Sequence, residues 1–233
     1  MRLNLIFVFL CHLVWAQPML IHTLGLDDSH LMELEGHQLT PKTAAAFCAM
    51  QAAALNDGID LQLVSAYRSF ERQQYIWEDK YIRYTDEGMS PKEAIQRILE
   101  YSTIPGTSRH HWGTDVDITD ANAPKQKRVL VPNKFHGNGP FAPLRQWMEK
   151  NANRFGFYLV YTKDADRTGF SYEPWHYTYL PEAKHYQKEY DSRTAFAYFK
   201  SVGVAGSEHI DRDFWDDYFT RHVLGINKIL LEY

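Results

Sequence analysis

The chain has 233 residues, with 25 Lys and Arg against 29 Asp and Glu, for a formal net charge of −4. That length suffices for one domain with a full core, and the acidic balance excludes broad attraction to nucleic acid or to an anionic membrane surface. Aromatic residues make up 15% of the chain, which suits a packed core and also a sugar- or peptide-binding cleft.

The first sixteen residues read as a signal peptide. Arg2 gives a positive start, Leu3 to Val14 is mostly apolar, and Val14-Trp15-Ala16 ends in a small residue suited to cleavage before Gln17. The run is too short for a spanning helix, and Cys11 lacks the preceding small residues of a lipoprotein signal. The expectation is export to the periplasm or beyond, with no stable membrane insertion after cleavage. Cys48 is then the one cysteine left, so no internal disulfide can form; it is expected as a small buried hydrophobe.

Residues 24–34 are expected to wrap the core. Thr40-Pro41 opens a helix, with a hydroxyl that can cap and a proline suited to the first position. Ala44, Phe47, Cys48, Gln51 and Leu55 fall on one face of it, and it ends near Asn56. Residues 59–67 alternate as a strand, with Leu61, Leu63 and Ser65 on one face. A helix over 70–84 carries Gln73 on its first turns, and Ser90-Pro91-Lys92-Glu93 is a capping box that starts another, ending near Tyr101.

Residues 114–119 read as a strand whose period places Asp115, Asp117 and Thr119 on one face. A long loop rich in Asn, Pro, Lys and Gly covers 120–140, followed by a helix over 143–153 and a strand over 157–161. Residues 175–180 read as a strand. Glu173 and His176 are three apart and would face opposite ways on it, so Glu173 is placed just before the strand, with Pro174 bending the chain. Beyond Pro181, one helix is expected over 184–200 and a second over 211–231, packed on the core as residues 183–233.

The chemistry concentrates in two stretches. Ser108 to Asp117 offers an imidazole, His110, and seven residues on a carboxylate, Asp117; Glu173-Pro174-Trp175-His176 offers another of each. Two imidazoles and one carboxylate suit a single zinc ion with one position open to water, and the remaining carboxylate suits a general base. His110, Asp117 and His176 are therefore the candidate ligands and Glu173 the candidate base. His111 is the nearest rival to His110, but its neighbouring position points it the other way. Arg68, after its strand, can stabilise an oxyanion or grip a carboxylate; the competing reading is a structural salt bridge.

At these residues the sequence resembles a known family. The pattern SxHxxGxxxD followed by ExWH, with Ser65-Ala66-Tyr67-Arg68-Ser69 and Gln73 upstream, is similar to the D-alanyl-D-alanine carboxypeptidases of the VanY type. These belong to the LAS-type zinc peptidases, a group that includes vancomycin-resistance dipeptidases, peptidoglycan endopeptidases and the hedgehog signalling domain. The resemblance runs over about 35–182, within a catalytic domain expected over 17–182. It implies an α+β fold of the hedgehog/DD-peptidase type, with a small antiparallel sheet carrying the zinc site and flanking helices. It also implies Arg68, Gln73 and Ser108 as substrate contacts and a peptidoglycan stem peptide as substrate.

Asp115 departs from the family, which usually has a small residue such as alanine there. It can orient a ligand histidine, pair with Arg68, or compete with Asp117. The leading expectation is hydrolysis of the terminal D-Ala-D-Ala bond. An L,D-carboxypeptidase, a D,D-dipeptidase and an endopeptidase stay open, since the motifs do not separate them. Two other classes are a non-haem iron oxygenase, whose first histidine and carboxylate usually stand two apart, and a zinc-binding module without catalysis.

Overall fold

The computed structural model describes residues 19–232; the expected signal segment at 1–16 lies outside them. After a helical turn over 19–23 the chain forms a small hairpin of β1 (Met32–Leu34) and β2 (His37–Leu39). Of the segment expected to wrap the core, Leu24 is buried while Leu26 and Met32 are exposed. Helix α1 (Pro41–Asn56) follows, capped by the Thr40 hydroxyl, which accepts from the Thr43 amide.

The buried face of α1 is Thr43, Ala44, Phe47, Met50 and Ala54. That corrects the expected stripe: Cys48 is exposed and Leu55 is 58% exposed. The true stripe runs through Met50 and Ala54, and an alanine-rich helix gives little periodic contrast from which to locate it.

Strand β3 (Leu61–Ser65) leads into α2 (Phe70–Asp86), which is capped by Ser69, and then α3 (Pro91–Ile98), which carries the complete capping box. Strand β4 (Asp115–Asp120), helix α4 (Ala142–Asn151), strand β5 (Phe157–Leu159) and strand β6 (His176–Tyr179) complete the body. The four strands form one antiparallel sheet in the order β3-β4-β6-β5. Strand β4 is central, and all six of its residues are buried.

Two apolar clusters hold the sheet. One joins Phe47, Leu61, Val116, Ile118 and Phe157; the other joins Trp77, Ile98, Val160, Phe199, Trp215 and Tyr218. The second cluster unites α2 with the C-terminal helices α6 (Ser192–Val202) and α7 (Arg212–Tyr218), while α5 (Leu180–Glu189) packs Ala183 and Tyr186 against Trp112 in a third, smaller one. Phe199 and Trp215 are fully buried, and such burial contributes about 1.5–3 kcal/mol for a side chain of phenylalanine size.

The C-terminal segment is more broken than expected. The single helix over 184–200 is two, because Asp191 caps α6 through the Arg193 amide. The single helix over 211–231 stops at Tyr218 and passes through a wide turn over Phe219–Val223 to Gly225. A Cβ at Gly225 would lie 2.0 Å from the Arg221 carbonyl oxygen, so chain reversal here requires glycine. The segment also braces the approach to the candidate ligands. Tyr218 accepts from the Ile104 amide at 3.1 Å and bonds the Thr107 hydroxyl at 2.6 Å, while the Tyr190 hydroxyl donates to Gly106 at 2.7 Å.

Candidate functional site

The residues Arg109–Trp112 form a single 3-10 turn that ends at Gly113, whose φ is +70°. That left-handed backbone favours glycine, and a Cβ there would also press on the Leu31 side chain at 2.5 Å. The turn carries His110 to the head of β4. Its Nδ1 donates to the Ala66 carbonyl at 2.7 Å, which leaves Nε2 as the free lone pair. His111 points away. It is fully buried, its Nδ1 bonds the Arg68 carbonyl at 2.6 Å, and its Nε2 accepts from the Gly106 amide. Burial pushes its pKa down to about 3, so it is a neutral structural imidazole.

Asp117 and His176 are directly opposite each other where β4 pairs with β6. Ligand atoms of His110, Asp117 and His176 all lie within 4.8 Å of one another, and all three residues are buried. His110 Nε2 is 3.5 Å from Asp117 Oδ2, and His176 Nδ1 is 3.8 Å from Asp117 Oδ1. Ligand atoms about 2.1 Å from a tetrahedral zinc stand about 3.4 Å apart, so the three residues fit such an ion. Asp117 Oδ1 is buried without a hydrogen-bond partner, a costly arrangement that a cation would relieve.

Glu173 sits just before β6, as expected. Its Oε2 is 3.1 Å from His176 Nδ1, and its side chain is 13% exposed. Pro174 and the hydrogen bond from the His176 amide to the Glu173 carbonyl form the bend that lets both side chains face one point. Tyr161 packs edge-on against the His176 ring at 5.1 Å.

Behind His176 lies Asp115, fully buried and neither a rival ligand nor a partner of Arg68. It accepts from His176 Nε2 and from Arg109 Nε, each at 2.9 Å, and from the Thr178 hydroxyl at 2.5 Å and the Thr114 hydroxyl at 3.1 Å. Arg109 is itself 3% exposed. It also donates to Gln187 and Thr178 and lies 4.5 Å over the Trp112 ring. Burial alone would raise the Asp115 pKa, but the Arg109 charge and the His176 bond hold it well below the usual range. Burial alone would likewise lower His176, yet its bonds to Asp115 and Glu173 and the Asp117 charge raise it to about 10. The sequence reading missed Arg109. The signal was present: a charge of opposite sign stands six residues before Asp115 in the same stretch.

Arg68 and Ser108 line a cleft of about 580 Å³ that contains the three candidate ligands and Glu173. Arg68 makes no ion pair among the described residues; its guanidinium donates to Gln73 Oε1 at 2.9 Å and to the Ser65 hydroxyl at 3.3 Å. Gln73 is the exception among the expected substrate contacts. It is fully buried behind Arg68, with its amide nitrogen donating to the Thr103 carbonyl at 2.8 Å, so it acts on the cleft through Arg68. Tyr67 is half-buried and donates to Gly25, a packing role, while Trp175 is core and also edges the cleft.

A second cluster, His22, Asp27 and His30, gathers in the N-terminal segment. There the two imidazoles stack at 3.8 Å and His22 is already bonded to Asp27 at 3.1 Å. It lies apart from the cleft.

Comparison with known proteins follows the same residues. The family model described as VanY, D-alanyl-D-alanine carboxypeptidase, matches residues 36–182. A D-alanyl-D-alanine carboxypeptidase of Enterococcus faecalis is 35% identical over 129 residues, 55% of this chain and 43% of the relative. The solved structure of VanYB in complex with D-alanine-D-alanine superposes with a TM-score of 0.53 at 29% identity, covering 70% of this chain and 84% of that one. A mutant of the vancomycin resistance D,D-pentapeptidase VanY in complex with Zn(II) gives 0.52 at 27%, covering 78% and 89%. The chain spans about half the length of the curated relatives it matches.

Proposed function

This chain belongs to the VanY family of D-alanyl-D-alanine carboxypeptidases, and from that premise we propose that it is a zinc-dependent carboxypeptidase hydrolysing the terminal D-Ala-D-Ala bond of peptidoglycan stem peptides. The observation that carries the reading is the convergence of His110, Asp117 and His176 on one point, with an unpartnered Asp117 oxygen, beside Glu173 in the cleft.

His110, Asp117 and His176 would hold the ion. Bound there, zinc supplies Lewis acidity and lowers the pKa of a coordinated water to about 7. Glu173 stands on the cleft side of His176, where its carboxylate takes the proton of the attacking water and hands it to the leaving amine nitrogen. Arg68, fixed by Gln73 and Ser65, offers its uncompensated charge to the carbonyl oxygen as negative charge develops on it. Asp115 holds His176 by Nε2 and thereby keeps Nδ1 facing the cleft.

The test is incubation with a D-Ala-D-Ala-terminated pentapeptide, with and without a chelator, followed by mass spectrometry. Release of one D-alanine, abolished by the chelator and restored by zinc, supports the reading. Glu173→Gln should retain zinc and lose about 10²–10⁴ in rate. A zinc-loaded Glu173→Gln protein with the full rate would reject the assignment. The apolar run at 3–14 supports export as the setting, and an N terminus at Gln17 in protein recovered from cells would test it.

A further inference from the structure

The cleft carries more positive charge than the candidate chemistry uses. Arg68, Lys80, Arg83 and Arg128 line it, against the acids Asp117 and Glu173, in a chain whose net charge is −4. Among the four, Arg83 and Arg128 are exposed while Arg68 and Lys80 are partly buried, and of these two Lys80 is the one the candidate chemistry leaves unused. It projects from α2, and its ammonium donates to the Ser102 hydroxyl; among the described residues no carboxylate pairs with it. Burial, and then the nearby Arg68 charge, lower its pKa, so the ammonium sits in surroundings that an anion would relieve. Beside it, the Thr103 hydroxyl also lines the cleft and is buried without a hydrogen-bond partner. The Ser102 hydroxyl accepts from Lys80, which leaves its own proton to donate.

Arg68 and Lys80 are anchored to neighbouring residues of one segment. Arg68 reaches Thr103 through Gln73, and Lys80 reaches Ser102. Their anchors are thus one residue apart, about 3.5 Å in extended chain. In a peptide cut at its last bond, the reacting carbonyl and the terminal carboxylate are also separated by one residue. Arg68 lines the cleft together with Asp117 and Glu173, the side on which the mechanism above has it meet the reacting carbonyl.

We propose that Lys80, with the hydroxyls of Ser102 and Thr103, clamps the C-terminal carboxylate of the substrate, so that the enzyme requires a free C terminus. The inference rests on the peptidase reading and deepens it, since it names the groups that would recognise the free C terminus. Arg83, stacked on Tyr84, and Arg128 stand at the exposed rim, where they draw an anionic peptide in.

The experiment measures binding, by calorimetry, of an N-acyl-D-Ala-D-Ala peptide and its C-terminal amide to zinc-loaded Glu173→Gln protein. The free acid should bind at least about thirtyfold more tightly, the scale of losing one partner of a buried charge pair. Adding Lys80→Met should erase that preference, and Lys80→Arg should restore most of it. Equal affinity for acid and amide overturns the clamp while leaving the peptidase reading intact, as does a Lys80→Met loss that falls alike on both peptides. If neither peptide binds, the peptidase reading fails and the clamp falls with it.

Discussion

Replacing Asp115 by alanine tests the charge chain behind the metal ligands. The substitution removes the acceptor of His176 Nε2 and the carboxylate partner that Arg109, which is 3% exposed, has among the described residues. Breaking a buried ion pair from one side costs about 3–5 kcal/mol, because the other charge remains buried and unpaired. In a chain of this length each kcal/mol moves Tm by about 2–4 °C, so the fall should be roughly 6–20 °C. Zinc affinity should drop separately, by about 10–100-fold, as His176 loses the group that fixes its ring. Scanning calorimetry and competition against a chromophoric chelator read the two effects. The double substitution Asp115→Ala with Arg109→Met removes both charges and should recover much of the lost Tm, though not the zinc affinity. A single Asp115→Ala variant that melts within about 2 °C of the parent would refute the ion-pair argument. So would a double variant no more stable than the single.

Two further outcomes follow from the same site. In the metal-free protein His176 has its pKa raised from 6.5 to about 10, so folding favours its protonated form. That stabilisation is fully present below about pH 6.5 and is lost as pH rises toward 10; the Tm of chelator-treated protein should fall across this window, whereas a flat or rising Tm would contradict it. Elemental analysis should find one zinc per chain, unchanged by His22→Ala, because His22 is stacked on His30 and bonded to Asp27; a second equivalent lost with His22→Ala would show that cluster to be a metal site.

The elements legible in the sequence were those with strong local signals. The Thr40 and Ser90 caps mark real helix starts, and the alternation around Asp115 and Asp117 marks a real strand. The expected bend at Pro174 is where the structure has it. Legibility failed where tertiary contacts decide. Nothing local in the alanine-rich α1 says that Cys48 faces solvent. The breaks at Asp191 and Gly225 lie inside runs whose apolar content alone suggests continuous helix, and they exist because the segment must turn back onto the Trp77 cluster. Gln73 was readable as part of a motif, but its burial behind Arg68 depends on Thr103, thirty residues away in the chain.

The metal geometry itself follows from sheet register. Asp117 faces His176 across β4 and β6, and Ser65 across β3 and β4. Directly opposed residues bring their Cβ atoms to about 4.5–5.5 Å, so strand pairing already places two ligands within reach of one ion. A one-residue slip would turn Asp117 to the other face, and Val116 and Ile118 resist it, since each is fully buried in the cluster beneath. The third ligand is tied to the same strand end: His110 bonds the Ala66 carbonyl, next to Ser65, and its own carbonyl accepts from the Arg68 amide. Ligand, helper arginine and strand terminus therefore move as one unit. The apolar core, and not the ion, sets the register on which the ligands converge, which separates this chain from small zinc domains that fold only around their metal.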